Sequence, residues 1–302
     1  MTYGRSPMAS SSSSPCGSSG TGAVGSTTPA QPGDKIITYL RHGKSAGNAG
    51  VMGVMEMGSL TAYRDGVLVS EGEQQVVERV AAVDEELMKR IVEAEVVLVS
   101  PLARAMATAV IVLAQAHLRS FQANGRTQRS WPRVEVVTEL REKVKSCSER
   151  PGSGEDPLAY VRAVAEKYGE SAYGNAAAMQ CVVEDIWRSY NQERAATKGW
   201  AWEPDDAVSY HCMIRHFRER LGRRPETNVL VVGHSGWARF AFAALLPAAV
   251  EEDEDRRRLN LVTGSREVRA LNNAGVLVAR FSSVDCSFQD LHVCGGARRE
   301  RG

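Results

Sequence analysis

The stretch Tyr39–Asn48, with the sequence YLRHGKSAGN, constrains the fold more than any other part of the chain. It includes the end of an apolar run at 36–40, which is typical of a buried strand that stops at a glycine-containing loop. Arg41 offers a planar set of donors suited to phosphate, and His42 can act as a nucleophile, an acid or a base near neutral pH. Gly43 lets the backbone approach a ligand closely. Polar residues at the carboxyl end of such a strand predict a ligand site in an α/β sheet.

Two later motifs have the same arrangement. Predicted strands at 96–99 and 229–232 are followed by Ser100-Pro101-Leu102-Ala103-Arg104 and by Gly233-His234-Ser235-Gly236. Both motifs open predicted helices, whose N-termini favour anions. Because parallel strands place their carboxyl ends at one edge of a sheet, we expect two arginines and two histidines to form one anion site suited to phosphate. These residues are Arg41, His42, Arg104 and His234.

The alternation of strand and helix patterns predicts an α/β fold. We expect a doubly wound, mostly parallel central sheet flanked by helices, with an inserted helical cap and a C-terminal hairpin. Further strands are predicted at 35–40 and 134–137, and one helix from Ser70 to about Glu93. The hairpin is assigned to 267–271 and 276–281, on either side of Asn272-Asn273-Ala274-Gly275.

Composition divides the chain into three parts. Residues 1–33 are rich in Ser and Gly with almost no large apolar side chains, which predicts disorder. A transit peptide is the alternative, since this segment is rich in Ser and lacks acidic residues, although Arg5 is its only arginine. Residues 34–285 are predicted to form the α/β domain, with a cap-like insertion at about 143–205. Residues 286–302 are expected to be a loose tail.

The charge balance argues against some partners. Lys plus Arg is 37 and Asp plus Glu is 36, so a general nucleic-acid or membrane surface is not expected. Six cysteines without a metal-site spacing favour reduced thiols in a cytoplasmic protein. No metal-ligand cluster is evident in the sequence, so neither a metal nor a cofactor is predicted. The predicted partner is a small-molecule phosphate ester; the oligomeric state is not predicted.

The motifs, in this order, resemble those of the histidine phosphatase superfamily, also called the phosphoglycerate mutase-like family. Residues 40–48 look like its Arg-His-Gly signature followed by Ser or Thr and an Asn. Residues 65–75 are similar to its Asp-x-x-Leu-Thr-x-x-Gly-x-x-Gln stretch. Residues 100–109 and 233–236 resemble its second and third motifs, so that the resemblance covers about residues 35–281.

The resemblance implies a role for each site residue. His42 would be the nucleophile that becomes phosphohistidine, and His234 would join it as a catalytic and phosphate-binding residue. Nearby arginines disfavour the imidazolium form and so keep His42 nucleophilic. The implied phosphate-binding residues are Arg41, Asn48, Arg104, His234 and Ser45.

The leaving oxygen needs a proton, which a Glu or Asp after the third strand supplies in this family. Leu140-Arg141-Glu142 is similar to the family's Leu-x-Glu, which favours Glu142 as the acid. Glu139 is the competing carboxylate, and a solvated loop carboxylate without a role is the third possibility.

The sequence after Glu142 differs from the Leu-Asn-Glu-Arg-His-Tyr-Gly of the true mutases and looks more like the phosphatase-type branch of fungi and plants. Lys145 and Arg150 are either substrate contacts or surface charges. The expected function is a metal-independent phosphomonoesterase that acts on a small phosphorylated metabolite through phosphohistidine. A phosphoglycerate mutase and a catalytically silent phosphate- or protein-binding relative are the alternatives.

Overall fold

A computed structural model describes residues 33–46, 65–124, 131–142, 157–171, 176–197, 210–243, 271 and 273–295. Several sequence predictions concern positions outside these ranges. They are residues 1–32, Asn48, Lys145, Arg150, 267–270 and 296–302.

Six strands form one mixed sheet. They are β1 (Lys35–Arg41), β2 (Val96–Val99), β3 (Arg133–Val136), β4 (Asn228–Gly233), β5 (Val276–Ser282) and β6 (Ser287–Gly295). Their order across the sheet is β3-β2-β4-β1-β5-β6. The first four strands are parallel, whereas β5 runs antiparallel to β1 and β6 antiparallel to β5.

Helices cover both faces of this sheet. In the described part of the chain they are α1 (Ser70–Ala82), α2 (Glu85–Val92), α3 (Ala103–Asn124), α4 (Pro157–Ser171), α5 (Ala176–Ala196), α6 (Tyr210–Gly222) and α7 (Ser235–Ala243). Successive residues of a strand face opposite sides, so a strand buried on both faces is apolar throughout. Val97 and Val99 of β2 pack with α1–α5, whereas Val96 and Leu98 pack with α6 and α7. The predicted doubly wound, mostly parallel α/β fold is confirmed.

The single helix predicted from Ser70 to about Glu93 is wrong, because two helices occupy this segment. Val83 has an extended backbone conformation between α1 and α2. Asp84 then caps α2, with its Oδ1 accepting a hydrogen bond from the Leu87 N–H at 2.8 Å. An Asp at this position satisfies an N–H that has no partner within the helix, which favours a new helix start.

The helices α4 and α5 lie within the predicted insertion and pack on α3, and α5 also packs on β3. β3 is an edge strand, so its outward N–H groups have no neighbouring strand to bond. The N–H groups of Val134 and Val136 instead donate to side chains of α5, those of Asp185 and Ser189. Side chains of α5 thus close this edge of the sheet.

A C-terminal hairpin is present, but its strands are not the predicted pair. Val276–Ser282 pairs with Ser287–Gly295 through a turn at 283–286. The prediction paired residues 267–271 with this strand. Its two hydrogen-bonding edges are already taken by β1 and β6, which leaves no edge for a third strand.

The prediction that residues 286–302 form a loose tail is wrong for residues 287–295, which form β6, and the ordered domain therefore extends beyond residue 285. Phe288 anchors this strand: it is 4% exposed and packs against Phe281 and Phe242, with ring centroids 5.2 and 5.0 Å away. Main-chain bonds to β5 and burial of an aromatic ring together offset the entropy of ordering the strand.

Truncating Phe288 tests whether β6 is part of the core. Phe288→Ala is expected to lower the free energy of unfolding by about 3–5 kcal/mol, the usual cost of deleting a buried phenyl group. Val284→Ala in the adjoining turn is the control, since Val284 is 83% exposed and a surface change alters stability by about 0.5 kcal/mol or less. Equilibrium urea unfolding measures both, and equal effects would contradict the assignment.

Candidate active site

The register of the parallel strands sets the site. Arg41 is paired with Gly233 across β1 and β4, and Val99 with Val232 across β2 and β4. The ladder continues one residue further, because the His42 N–H donates to the Gly233 carbonyl at 3.0 Å and the Ser100 N–H to the Val232 carbonyl at 3.0 Å. The three motifs predicted from the sequence therefore meet at one edge of the sheet.

The His42 ring is buried and held by both nitrogens. Its Nδ1 lies 2.6 Å from the Gly43 carbonyl oxygen, which can only accept, so Nδ1 carries the proton. The Arg104 Nε–H donates to Nε2 at 3.3 Å, so Nε2 holds its lone pair. This tautomer is the one in which Nε2 is the nucleophilic atom.

Electrostatics favour the same neutral form. Burial is the largest effect that holds the pKa of His42 well below its ordinary value, and the charges of Arg104 and Arg41 add to it. The hydrogen bond to Gly43 acts in the opposite direction without reversing the shift. Desolvation and nearby cations both disfavour an imidazolium, so His42 is uncharged at neutral pH.

His234 lies beside His42, with ring centroids 5.0 Å apart, and is fully buried. Its Nε2 is 2.7 Å from the Ser100 hydroxyl, and its backbone carbonyl accepts from the Tyr39 hydroxyl at 2.8 Å. Burial, followed by the charges of Arg104, His42 and Arg41, holds the pKa of His234 well below its usual value. Both imidazoles are therefore neutral.

Two buried nitrogen atoms of these residues have no hydrogen-bond partner among the described residues: Arg41 Nε and His234 Nδ1. His234 Nδ1 is a donor when Nε2 accepts from Ser100. The Arg41 guanidinium donates through another nitrogen to the Leu271 carbonyl. Burial lowers the pKa of Arg41 to about 10 while the Glu142 carboxylate opposes this shift, so Arg41 remains a cation at neutral pH. Buried polar groups are normally hydrogen-bonded, and an oxyanion is the kind of ligand that would satisfy these two atoms.

The two candidate acids have different surroundings. Glu142 Oε2 is 3.8 Å from His234 Nδ1, and Glu142 Oε1 accepts a hydrogen bond from the Tyr210 hydroxyl. Glu139 instead accepts from Arg220 at 3.1 and 3.2 Å. The structure therefore brings Glu142, and not Glu139, against His234.

Two residues at Glu142 were not predicted as site residues. Gly236 lies so close to Glu142 that any Cβ there would overlap its Oε1. Its place in the third motif is a signal that could have identified it, because a glycine often marks close approach. Tyr210 carries no local signal, since it is 68 residues from Glu142 in the sequence.

The backbone around His42 is supported by α1. Gly43 and Gly72 pack backbone to backbone. A Cβ on Gly43 would overlap the backbone of Gly72, and a Cβ on Gly72 would overlap the backbone of Lys44. The Lys44 N–H donates to the Gln75 side chain at 3.2 Å. Ser45 is buried and forms an isolated antiparallel bridge with Leu68, so its described contacts hold the loop.

Asp65 connects this segment to the second motif. It is buried in a left-handed backbone conformation, and its Oδ1 accepts from the Ala103 N–H at 2.7 Å at the start of α3. Asp65 thus bonds to the first turn of the helix that carries Arg104, while Gly72 and Gln75 of the same motif contact the loop that follows His42. The motif therefore holds this loop and this helix relative to each other.

The described residues contain no group of three or more His, Cys, Asp or Glu side chains suited to holding a metal ion. In the same part of the chain, every helix is too short or too polar to cross a membrane.

No protein-family model and no curated protein sequence matches the chain. Solved structures similar to it include a candidate alpha-ribazole-5′-P phosphatase from Escherichia coli str. K-12 substr. MG1655, at 16% identity and TM-score 0.44, covering 87% of this chain and 98% of that one. Phosphoglycerate mutase from Bacillus anthracis str. Sterne has 18% identity and TM-score 0.42, covering 87% and 94%. Phosphoserine phosphatase from Entamoeba histolytica has 14% identity and TM-score 0.40, covering 86% and 97%. Values of this size do not establish a shared activity.

The lowered pKa values predict a pH-dependent stability. Below about pH 6.5 these two histidines bind protons in the unfolded chain, whereas folded His42 and His234 do not. The free energy of unfolding should therefore fall as the pH falls below about 6.5. The expected slope is up to about 1.4 kcal/mol per pH unit for each histidine. His42→Gln should make this slope shallower between pH 7.5 and 5, as measured by urea unfolding. A wild-type slope in His42→Gln would contradict the prediction.

Proposed function

We propose that the protein is a metal-independent phosphomonoesterase, a member of the histidine phosphatase superfamily, that acts on a small phosphorylated metabolite through phosphohistidine. The observation that carries the proposal is the state of His42: its Nδ1–H is held by the Gly43 carbonyl, and its Nε2 lone pair accepts from the Arg104 Nε–H in a buried, cationic site. A neutral imidazole fixed in this way is an activated nucleophile.

The first step is attack of His42 Nε2 on the phosphorus atom. The N–P bond forms as the ester P–O bond breaks, and the leaving alkoxide takes a proton from Glu142. Water then attacks the phosphohistidine and gives a proton to the Glu142 carboxylate. The P–N bond breaks, so inorganic phosphate leaves and both residues return to their starting states.

The charge of the transferring phosphoryl group is matched by nearby donors. Arg41 and Arg104 supply two guanidinium groups, and His234 adds a neutral donor at Nδ1 when its Nε2 accepts from Ser100. Fixed donors in a buried site stabilise spread negative charge without reorganising during the reaction. With these groups in place, a divalent cation is not required for charge neutralisation in this mechanism.

The mutase alternative shares the first step and differs in the fate of the phosphohistidine. A mutase retains the phosphoryl group until a second acceptor takes it, whereas a phosphatase passes it rapidly to water. The lifetime of the labelled enzyme in buffer, with and without phosphoglycerates, separates the two. A silent phosphate- or protein-binding relative would never acquire the label.

The nucleophile is tested by trapping the intermediate. Wild-type protein quenched during turnover of a ³²P-labelled ester should carry an acid-labile, base-stable phosphoryl group, and His42→Gln should carry none and lose turnover. His211→Gln is the matched control and should behave as wild type. The same rates are expected with and without EDTA. Substantial turnover by a folded His42→Gln variant would exclude the covalent mechanism.

The acid is tested with two leaving groups. An alkoxide needs the proton, whereas p-nitrophenolate leaves well without it. Glu142→Gln should lose on the order of 10²–10⁴ in the single-turnover rate of phosphohistidine formation from an alkyl phosphate, the range of general acid catalysis, and much less with p-nitrophenyl phosphate. Hydrolysis of the phosphohistidine is common to both substrates and is measured separately.

Glu139→Gln is the control for this pair, because Glu139 is bound to Arg220 away from the histidines. It should show no loss that depends on the leaving group. The opposite pattern in the two variants would assign the acid to Glu139.

A further inference from the structure

We infer that Tyr210 is a positioning residue for the acid: its hydroxyl holds Glu142 Oε1 so that Oε2 is directed to His234. This inference rests on the proposed function, because it concerns how the proton donor of that reaction is oriented.

The two oxygens of Glu142 have separate environments. Oε1 accepts from the Tyr210 hydroxyl and lies against the backbone at Gly236, where there is no room for a side chain. Oε2 lies toward His234 Nδ1, at 3.8 Å. A carboxylate with both oxygens free would sample several rotamers, and a misplacement of about 1 Å can cost about 10²-fold in rate.

Tyr210 is itself held firmly enough to act in this way. It is 6% exposed and begins α6, and its ring stacks on Phe240 of α7 with centroids 4.6 Å apart and planes 19° apart. Phe240 lies one helical turn beyond Gly236, so α7 supports the Tyr210 ring and also contacts Glu142. A ring with few rotamers, fixed by stacking, delivers its hydroxyl at little entropic cost.

The orientation matters for both halves of the reaction. Glu142 must present one oxygen to the leaving group and then to the attacking water. If the Tyr210 hydroxyl occupies Oε1, the same oxygen, Oε2, serves in both steps. Loss of the hydroxyl should therefore impair proton transfer and leave phosphate binding at Arg41, Arg104 and His234 intact.

Tyr210→Phe in the full chain tests this prediction, because it removes only the hydroxyl and keeps the ring stack. We expect the single-turnover rate of phosphohistidine formation from an alkyl phosphate to fall by about 10–10²-fold, the apparent Kd of that substrate to stay within about twofold, and the same single-turnover rate with p-nitrophenyl phosphate to change by less than about threefold. In a Glu142→Gln background the same substitution should cost nothing further, because a positioning residue acts only through the group that it positions.

Tyr168→Phe is the matched control, since the Tyr168 hydroxyl also donates to a carboxylate, that of Glu73, at 3.1 Å. It should leave both rates near wild type. Equal losses on the two substrates, an unchanged alkyl phosphate rate in Tyr210→Phe, or an additive loss in the Glu142→Gln background would each overturn the inference. Failure of the proposed function is distinguishable, because wild-type protein would then neither turn over esters nor trap phosphate.

Discussion

Main-chain hydrogen bonds among three parallel strands fix the positions of the site residues. β4 lies between β1 and β2, and the bonds that continue the ladder past the strand ends hold His42 and Ser100 on either side of the His234 segment. A slip of one residue in either pairing would turn every side chain of that strand to the opposite face of the sheet. The side chains of β2 and β4 are apolar on both faces, so hydrophobic alternation does not oppose such a slip within these strands, and a slip would instead displace the polar residues that follow them.

Burying the ionisable groups of the site lowers the stability of the folded protein. Two imidazoles are buried beside Arg41 and Arg104, and burial opposes the charged form of His42, His234 and Arg41. The Glu142 carboxylate opposes the lowered pKa of Arg41 without reversing it. A doubly charged phosphate ester would complement the guanidinium groups of Arg41 and Arg104. Groups whose protonation is perturbed by both burial and specific neighbours are typical of functional sites.

The sequence predicted the elements that depend on local pattern. Buried parallel strands are uninterrupted apolar runs, so β1, β2 and β4 were located to within one residue, and their carboxyl ends located the motifs. β6 was not predicted. Its pairing with β5 shifts register between Ala279 and Phe281, so apolar and polar side chains do not alternate regularly along β6, and this alternation is the pattern from which a strand is predicted.

Contacts between distant parts of the chain were the other limit. Tyr210 reaches Glu142 only because α6 begins beside α7, and no spacing in the sequence encodes that packing. Which of Glu139 and Glu142 lies beside His234 likewise depends on tertiary contacts, because Glu139 is bound to Arg220, a residue on a distant helix. Both facts belong to tertiary packing and not to local propensity.

The closed edge at β3 has a consequence for self-association. Asp185 and Ser189 already occupy the outward N–H groups of Val134 and Val136, so a second chain has no free donors there with which to extend the sheet. Edge strands that keep such donors act as templates for aggregation, and this protein protects one of its two edges with a helix. Substitution of either α5 side chain would free a main-chain donor at this edge of the sheet and give a second chain a place to pair, so its effect would be seen as a loss of solubility.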